Sequence, residues 1–180
     1  MVKKHLEIER RWLLSNLPNA EILGAIGVER TDLTTVYIVS DPDLELRIRQ
    51  QSGNGEITYS VVTKIGSGLM RQESPKLSAS ADLFNCYYIT LGKPYLVKNH
   101  WEIPLGTSQK LEISRFTQPK LAQGRGLLLA EIEFESEKAA GQFSEEDLPI
   151  WLKPLVIKEV TDDPRYNGKN LAVHGRPDPE

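Results

Sequence analysis

Cysteine, histidine and long apolar runs are all scarce in this chain, and each shortage removes a class of protein. A single cysteine, Cys86, allows no intrachain disulfide, and no Cys/His spacing for zinc is present. Two of the three histidines, His5 and His174, have no partner at metal-binding spacing. No stretch approaches the roughly 20 apolar residues of a membrane-spanning helix. Lys3 and Lys4 are not followed by the apolar run of a signal peptide, so a cytoplasmic protein is expected. A surplus of positive charge is also missing. The net charge of −3 over 180 residues gives no overall attraction for nucleic acid or an anionic membrane, and neither is an expected partner. Any anion site must therefore be a local cluster of bases. Trp12, Trp101 and Trp151 read as packing residues rather than a base-stacking platform, and Cys86 as inert core. Gly66-Ser67-Gly68 has no following Lys-Ser/Thr pair and reads as a hairpin turn rather than a phosphate loop.

What is present is strand. Alternation with period two predicts strands over 4–14, 33–40, 44–51, 56–64, 68–75, 94–104, 109–117 and 127–136. Asp41-Pro42-Asp43, Ser52-Gly53-Asn54-Gly55 and Gly124-Arg125-Gly126 supply further turns, with Asn54-Gly55 a hairpin signal. Helices are predicted over Ser78–Ile89, Ser136–Phe143, Leu148–Leu152 and 163–172, the last with Pro164 in its first turn. Consecutive strands with few helices argue for an antiparallel barrel or sheet with helices added outside.

The charges follow the strand period. Glu7, Glu9 and Arg11 share a face, as do Glu45, Arg47 and Arg49. So do Arg71 with Glu73, then Lys98, His100 and Glu102, then Glu112 with Ser114, and then Glu131, Glu133 and Glu135, while Lys64 ends a further strand. An antiparallel sheet with one wet face produces the same alternation. Two features favour the opposite arrangement, with the charges inside. The apolar faces need cover, which the helices can supply from outside, and the charges come as arginines and close acid pairs rather than a mixture with Thr, Gln and Ser. Buried ions cost several kcal/mol each unless offset. Carboxylate pairs suit Mg2+ or Mn2+, and Arg and Lys suit phosphate oxygens. The pattern therefore reads as a metal and polyphosphate site inside a barrel.

Taken in order, these motifs resemble the CYTH family, the triphosphate tunnel metalloenzymes. Glu7-Ile8-Glu9-Arg10-Arg11 is similar to the family's ExExK signature. The resemblance continues through ELRIR (45–49), Lys64, RQE (71–73), LVKNHW (96–101), LEISRF (111–116), LAEIEFES (129–136) and EVTDDPRYNGKNLA (159–172). It implies an α+β, mainly β fold, a closed eight-stranded antiparallel barrel forming a tunnel with a few helices outside. Residues 1–174 would form a single tunnel domain, with 175–180 a short tail. It further implies metal-dependent hydrolysis of inorganic tripolyphosphate or a small organic triphosphate. By the same resemblance Glu7, Glu9, Glu131 and Glu133 would hold Mg2+ or Mn2+. Arg47, Arg49, Lys64, Arg71, Lys98 and His100 would grip the triphosphate, with Arg165 and Lys169 closing one tunnel end. Arg11, Glu73 and Glu112 would complete the catalytic lumen. A homodimer is implied by the resemblance alone.

Three positions depart from the family pattern: Arg11 for the ExExK lysine, His100 for an arginine, and Ser114 for an aspartate common in the family. Arginine is bulkier than lysine and stays protonated at neutral pH, whereas histidine, with an unperturbed pKa of roughly 6.5, is only partly charged there. A binding module that holds polyphosphate or nucleotide without turnover is the alternative reading. An adenylyl cyclase is a third, although no residue set marks a base-recognising surface.

Overall fold

The protein is described here by a computed structural model covering residues 5–66, 70–106, 109–118, 121 and 126–177. Its strands are β1 (His5–Leu14), β2 (Arg30–Asp41), β3 (Leu44–Gly53), β4 (Glu56–Ile65), β5 (Met70–Glu73), β6 (Leu77–Ser78), β7 (Tyr95–Leu105), β8 (Gln109–Phe116), β9 (Leu127–Glu133) and β10 (Val156–Glu159). Eight of them run in the order β1-β5-β4-β3-β2-β7-β8-β9, and β9 pairs back onto β1. The result is a closed antiparallel barrel, which leaves no long sheet edge to protect. The two extra strands lie off the ring, β6 on β4 and β10 on the end of β1. The β3–β4 hairpin turns at Asn54 and Gly55, both with positive φ, as that dipeptide favours.

The sheet is apolar on its outside. Ile8, Trp12, Trp101, Ile103, Leu111, Ile113, Ala130 and Ile132 form one core with Leu23 of α1 (Ala20–Ala25) and Ala140 of α3 (Glu137–Gln142). Leu148 and Leu152 pack into the same core. A second outer core joins Val36 and Ile48 to Phe84 of α2 (Ala81–Asn85), with Tyr59, Tyr88 and Tyr95 around it. Asn19, Ser80 and Ser136 cap the three helices through their side chains. The inner face is charged over most of its length and turns apolar at one end. Leu13 lies two residues past Arg11, Leu129 two before Glu131, and Phe116 two past Ser114. These meet Tyr37, Leu96, Tyr166, Leu171 and Ala172 in a third core. The last two belong to α4 (Gly168–His174), so the terminal helix plugs one mouth of the tunnel.

Several local expectations need correction. Leu148–Leu152 is not a helix but a bend and turn between two 3-10 turns, Glu145–Asp147 and Lys153–Leu155. Pro149 lacks an N–H and holds Leu148 extended. The predicted last helix is instead a 3-10 turn, Pro164–Tyr166, followed by α4. Beyond α2 the helix widens into a π-turn, Cys86–Thr90. Phe84, Tyr87 and Tyr88 take the packed side, and Cys86 is exposed rather than core. β6, β10 and α1 were not predicted, and β9 ends at Glu133. Turn residues 67–68 and 124–125 lie outside the described residues. Among those described, no helix is long and apolar enough to cross a membrane.

Two glycines test this packing with opposite signs. A methyl group at Gly168 would overlap the Tyr37 hydroxyl beneath α4, whereas one at Gly141 in α3 meets nothing within 4 Å. Gly168→Ala is expected to destabilise by about 1–3 kcal/mol through overpacking, and Gly141→Ala to stabilise by about 0.4–1 kcal/mol. Urea-denaturation midpoints check both, and a neutral Gly168→Ala would show that α4 does not seat tightly on the mouth.

Candidate active site

The barrel encloses a cavity of about 450 Å³, within the roughly 300–1,000 Å³ usual for small-molecule sites. Among the described residues, eight glutamates, eight lysines or arginines and His100 line it. With the charges balanced, the lining needs no counter-ion as a whole, and its local imbalances decide what it can hold.

Strand order arranges those imbalances. β3 stands opposite β9 across the ring, and β1 lies beside β9. Glu9 faces Glu133 and Arg11 faces Glu131 in the β1–β9 register, so Glu7, Glu9, Glu131 and Glu133 form an acidic wall. Arg47 and Arg49 project from β3 on the far side, and Lys98 from β7. Lys64, only 4 % exposed, bridges Glu7 at 2.5 Å and Glu73 at 3.0 Å. Arg71 bonds Glu9 at 2.8 Å and Glu7 at 3.2 Å. Arg11 spans Glu9 at 2.5 Å and Glu131 at 2.7 Å, and donates to Asn167 at 2.9 Å.

The basic wall is less well partnered. Arg49 reaches Thr35 at 3.2 Å, and Lys98 donates to Ser114 at 2.8 Å. Arg47 lies 3.3 Å from Glu45 and 3.6 Å from Glu73. Yet Arg47 Nε and Glu45 Oε1 are buried without a hydrogen-bond partner among the described residues, the Arg47–Glu45 contact being an ion pair without hydrogen-bond geometry. Buried polar atoms left this way are costly, and both belong to residues that line the cavity.

The electrostatics follow the same division. Burial, and then Glu9, raise the Glu7 pKa. Burial also acts to raise Glu9, but Arg11, Lys64 and Arg71 outweigh it and the pKa falls. At Glu131 burial is outweighed by Arg11 and Lys98, which bring the pKa to about 2. Burial lowers Lys98, and burial with Arg47 lowers Arg49. These two bases are held where protonation is least comfortable, which an anion between them would relieve.

The tunnel thus gathers every predicted site residue but Arg165 and Lys169. Arg165 does not enter it: the side chain is about half exposed and bonds Asp163, two residues earlier, at 2.7 Å. Lys169 donates to the Asp41 and Pro42 carbonyls at 2.6 Å each, tying α4 to the β2–β3 turn. Among the charged residues, Glu45, Lys76, Glu102 and Lys110 line the cavity without having been assigned a role. Glu45 and Glu102 were already visible on the alternating faces, and Lys110 stands two residues before Glu112 on the same period.

Two solved structures of one protein, NE1496, one of them described as an inorganic triphosphatase, match this chain with a TM-score of 0.60 each. Identities are 29 % and 28 %, covering 93 % of this chain and 97 % of the other, and 96 % of both, respectively. The PH1819 protein from Pyrococcus horikoshii OT3 shares the fold at a TM-score of 0.50 and 18 % identity, over 73 % of this chain and 80 % of that one. No protein-family model and no curated protein matches the chain. The resemblance read from the motifs is met in three dimensions, and the chain has the triphosphate tunnel, or CYTH, fold.

The ion-pair lattice makes a prediction about Lys64. Lys64→Met leaves Glu7 and Glu73 with arginines alone and should cost roughly 3 kcal/mol, the low end for a broken buried pair. Glu7 already titrates above its ordinary 4.5, and losing Lys64 raises it further. A carboxyl with a raised folded-state pKa contributes stability below its unfolded value and loses it as pH rises through the folded one. Denaturation of the variant should therefore show a smaller deficit near pH 4.5 than at pH 7, and a deficit independent of pH would contradict the assignment.

Proposed function

We propose that the tunnel binds a triphosphate with a divalent cation and hydrolyses it, the substrate being inorganic tripolyphosphate or a small organic triphosphate. The observation carrying this reading is the opposition of an acidic wall on β1 and β9 to an under-partnered basic wall on β3 and β7. A polyanion with a metal ion fits both walls at once. The similarity to a protein described as an inorganic triphosphatase supports it.

Phosphoryl transfer asks for positioning and charge stabilisation more than for covalent chemistry. Arg47, Arg49 and Lys98 bind phosphate oxygens and stabilise charge on the leaving phosphates. The donors Glu7, Glu9, Glu131 and Glu133 are hard carboxylate oxygens, which fit Mg2+ or Mn2+. A cation held there neutralises phosphate oxygens. Lys64 and Arg71 keep Glu7 and Glu9 in place. At Glu73 burial is outweighed by Lys64 and Arg47, and at Glu112 by His100, Lys110 and Lys98, so both stay ionised at neutral pH. These two carboxylates accept hydrogen bonds from the attacking water.

A second reading, binding without turnover, draws on one observation: Arg11 and Arg71 already occupy oxygens of Glu9 and Glu131. Phosphate release from tripolyphosphate, with Mg2+ and Mn2+ in parallel, separates the two. The hydrolytic reading expects metal-dependent release that falls about 100-fold or more in Glu133→Gln, the scale of a lost transition-state contact. Full activity in that variant overturns the site assignment. No release, with tripolyphosphate still raising the melting temperature, leaves the binding module.

A further inference from the structure

We propose that His100, Glu102 and Glu112 form a second cation site in the tunnel, on β7 and β8 and separate from the acidic wall of β1 and β9, one that takes a late first-row transition-metal ion such as Zn2+ or Co2+ in preference to Mg2+ and shares Glu112 with the reading proposed above. The register between β7 and β8 builds it. Glu102 stands directly opposite Glu112, and His100 opposite Ser114. One ligand atom from each of the three lies within 4.8 Å of the others. His100 Nε2 is 3.4 Å from Glu102 Oε1 and 3.7 Å from Glu112 Oε2. Ligands bonded to one tetrahedral ion at about 2.0–2.2 Å sit about 3.3–3.6 Å apart, so the two imidazole–carboxylate edges are already near that length, and the two carboxylates close on the ion by rotation of their side chains.

The surroundings orient all three ligands. His100 Nδ1 is 3.3 Å from Ser114 Oγ, which is completely buried and already accepts from Lys98 Nζ at 2.8 Å. The hydroxyl oxygen has a second lone pair for Nδ1–H, and that tautomer turns the Nε2 lone pair toward the carboxylates. Lys110 holds the carboxylates from the other side. Its Nζ is 2.6 Å from Glu112 Oε1 and 3.8 Å from Glu102 Oε2. The four oxygens are thereby divided, one of each pair to Lys110 and one of each pair to the imidazole. With one oxygen of each carboxylate left turned toward the imidazole, a cation seated there takes both oxygens and the ring nitrogen together. The imidazole sets the preference, because nitrogen ligands favour late transition ions and Mg2+ favours an oxygen-only shell. The Glu102 side chain is 58 % exposed, which gives an ion a path in.

This site stands on the protein's own ligands and does not depend on turnover. The test is a Co2+ titration of the untagged chain without phosphate, read by visible absorption. In a hundredfold excess of Mg2+, which occupies the acidic wall, it should saturate at one equivalent with an imidazole-containing spectrum. His100→Gln and Glu102→Gln should each weaken Co2+ binding tenfold or more. Glu102 is exposed, so its variant remains informative if the buried His100 variant folds poorly. Unchanged Co2+ affinity in Glu102→Gln, or displacement by equimolar Mg2+, overturns the proposal. Co2+ binding that needs Glu102 in a protein with no phosphatase activity would instead count against the triphosphatase reading alone.

Discussion

A charge enclosed in a barrel without a partner costs several kcal/mol, and the fold is organised around that cost. The strands alternate charged and apolar residues, so one face had to be dry and the other had to hold ions. The apolar face lies outside because α1, α2, α3 and the loops cover it with Leu23, Phe84 and Ala140. The charged face lies inside, where ion pairs offset one another strand by strand, Lys64 between Glu7 and Glu73, Arg11 between Glu9 and Glu131. The same constraint explains the apolar plug. Where the inner face runs out of charged residues, Leu13, Phe116 and Leu129 meet the terminal helix and confine the charged section.

Much of this was legible because the side-chain period of a strand is fixed by its backbone. Residues on one face of one strand could be grouped from the sequence, and the need to cover the apolar face pointed the charges inward. Closure was not legible in this way: β1 meets β9 more than a hundred residues later, and no local pattern records that. Short elements were missed for lack of a period to read, as with the two residues of β6 and the four of β10. Arg165 was placed at the tunnel by motif resemblance, but its carboxylate partner two residues back holds it at the surface. Cys86 was misplaced because it stands two residues from both Phe84 and Tyr88, which at helical spacing puts it on the side away from the packed stripe.

The three departures from the family pattern acquire a physical account together. Arg11 uses the width of its guanidinium to span two carboxylates and Asn167, which the single ammonium of lysine would reach less completely. His100 and Ser114 are opposite one another on β7 and β8, and their side chains touch. The two departures are thus one local change, in which ring and hydroxyl meet across the ladder.

The central claim is that the two walls were built to hold a polyphosphate between them. The most direct measurement is a crystal structure with Mn2+ and a non-hydrolysable triphosphate analogue, with data collected at the manganese absorption edge. The account predicts phosphate density against Arg47 and Arg49 and an anomalous peak beside Glu131 and Glu133. Triphosphate bound outside the barrel, or a tunnel that stays empty at saturating ligand, would contradict it.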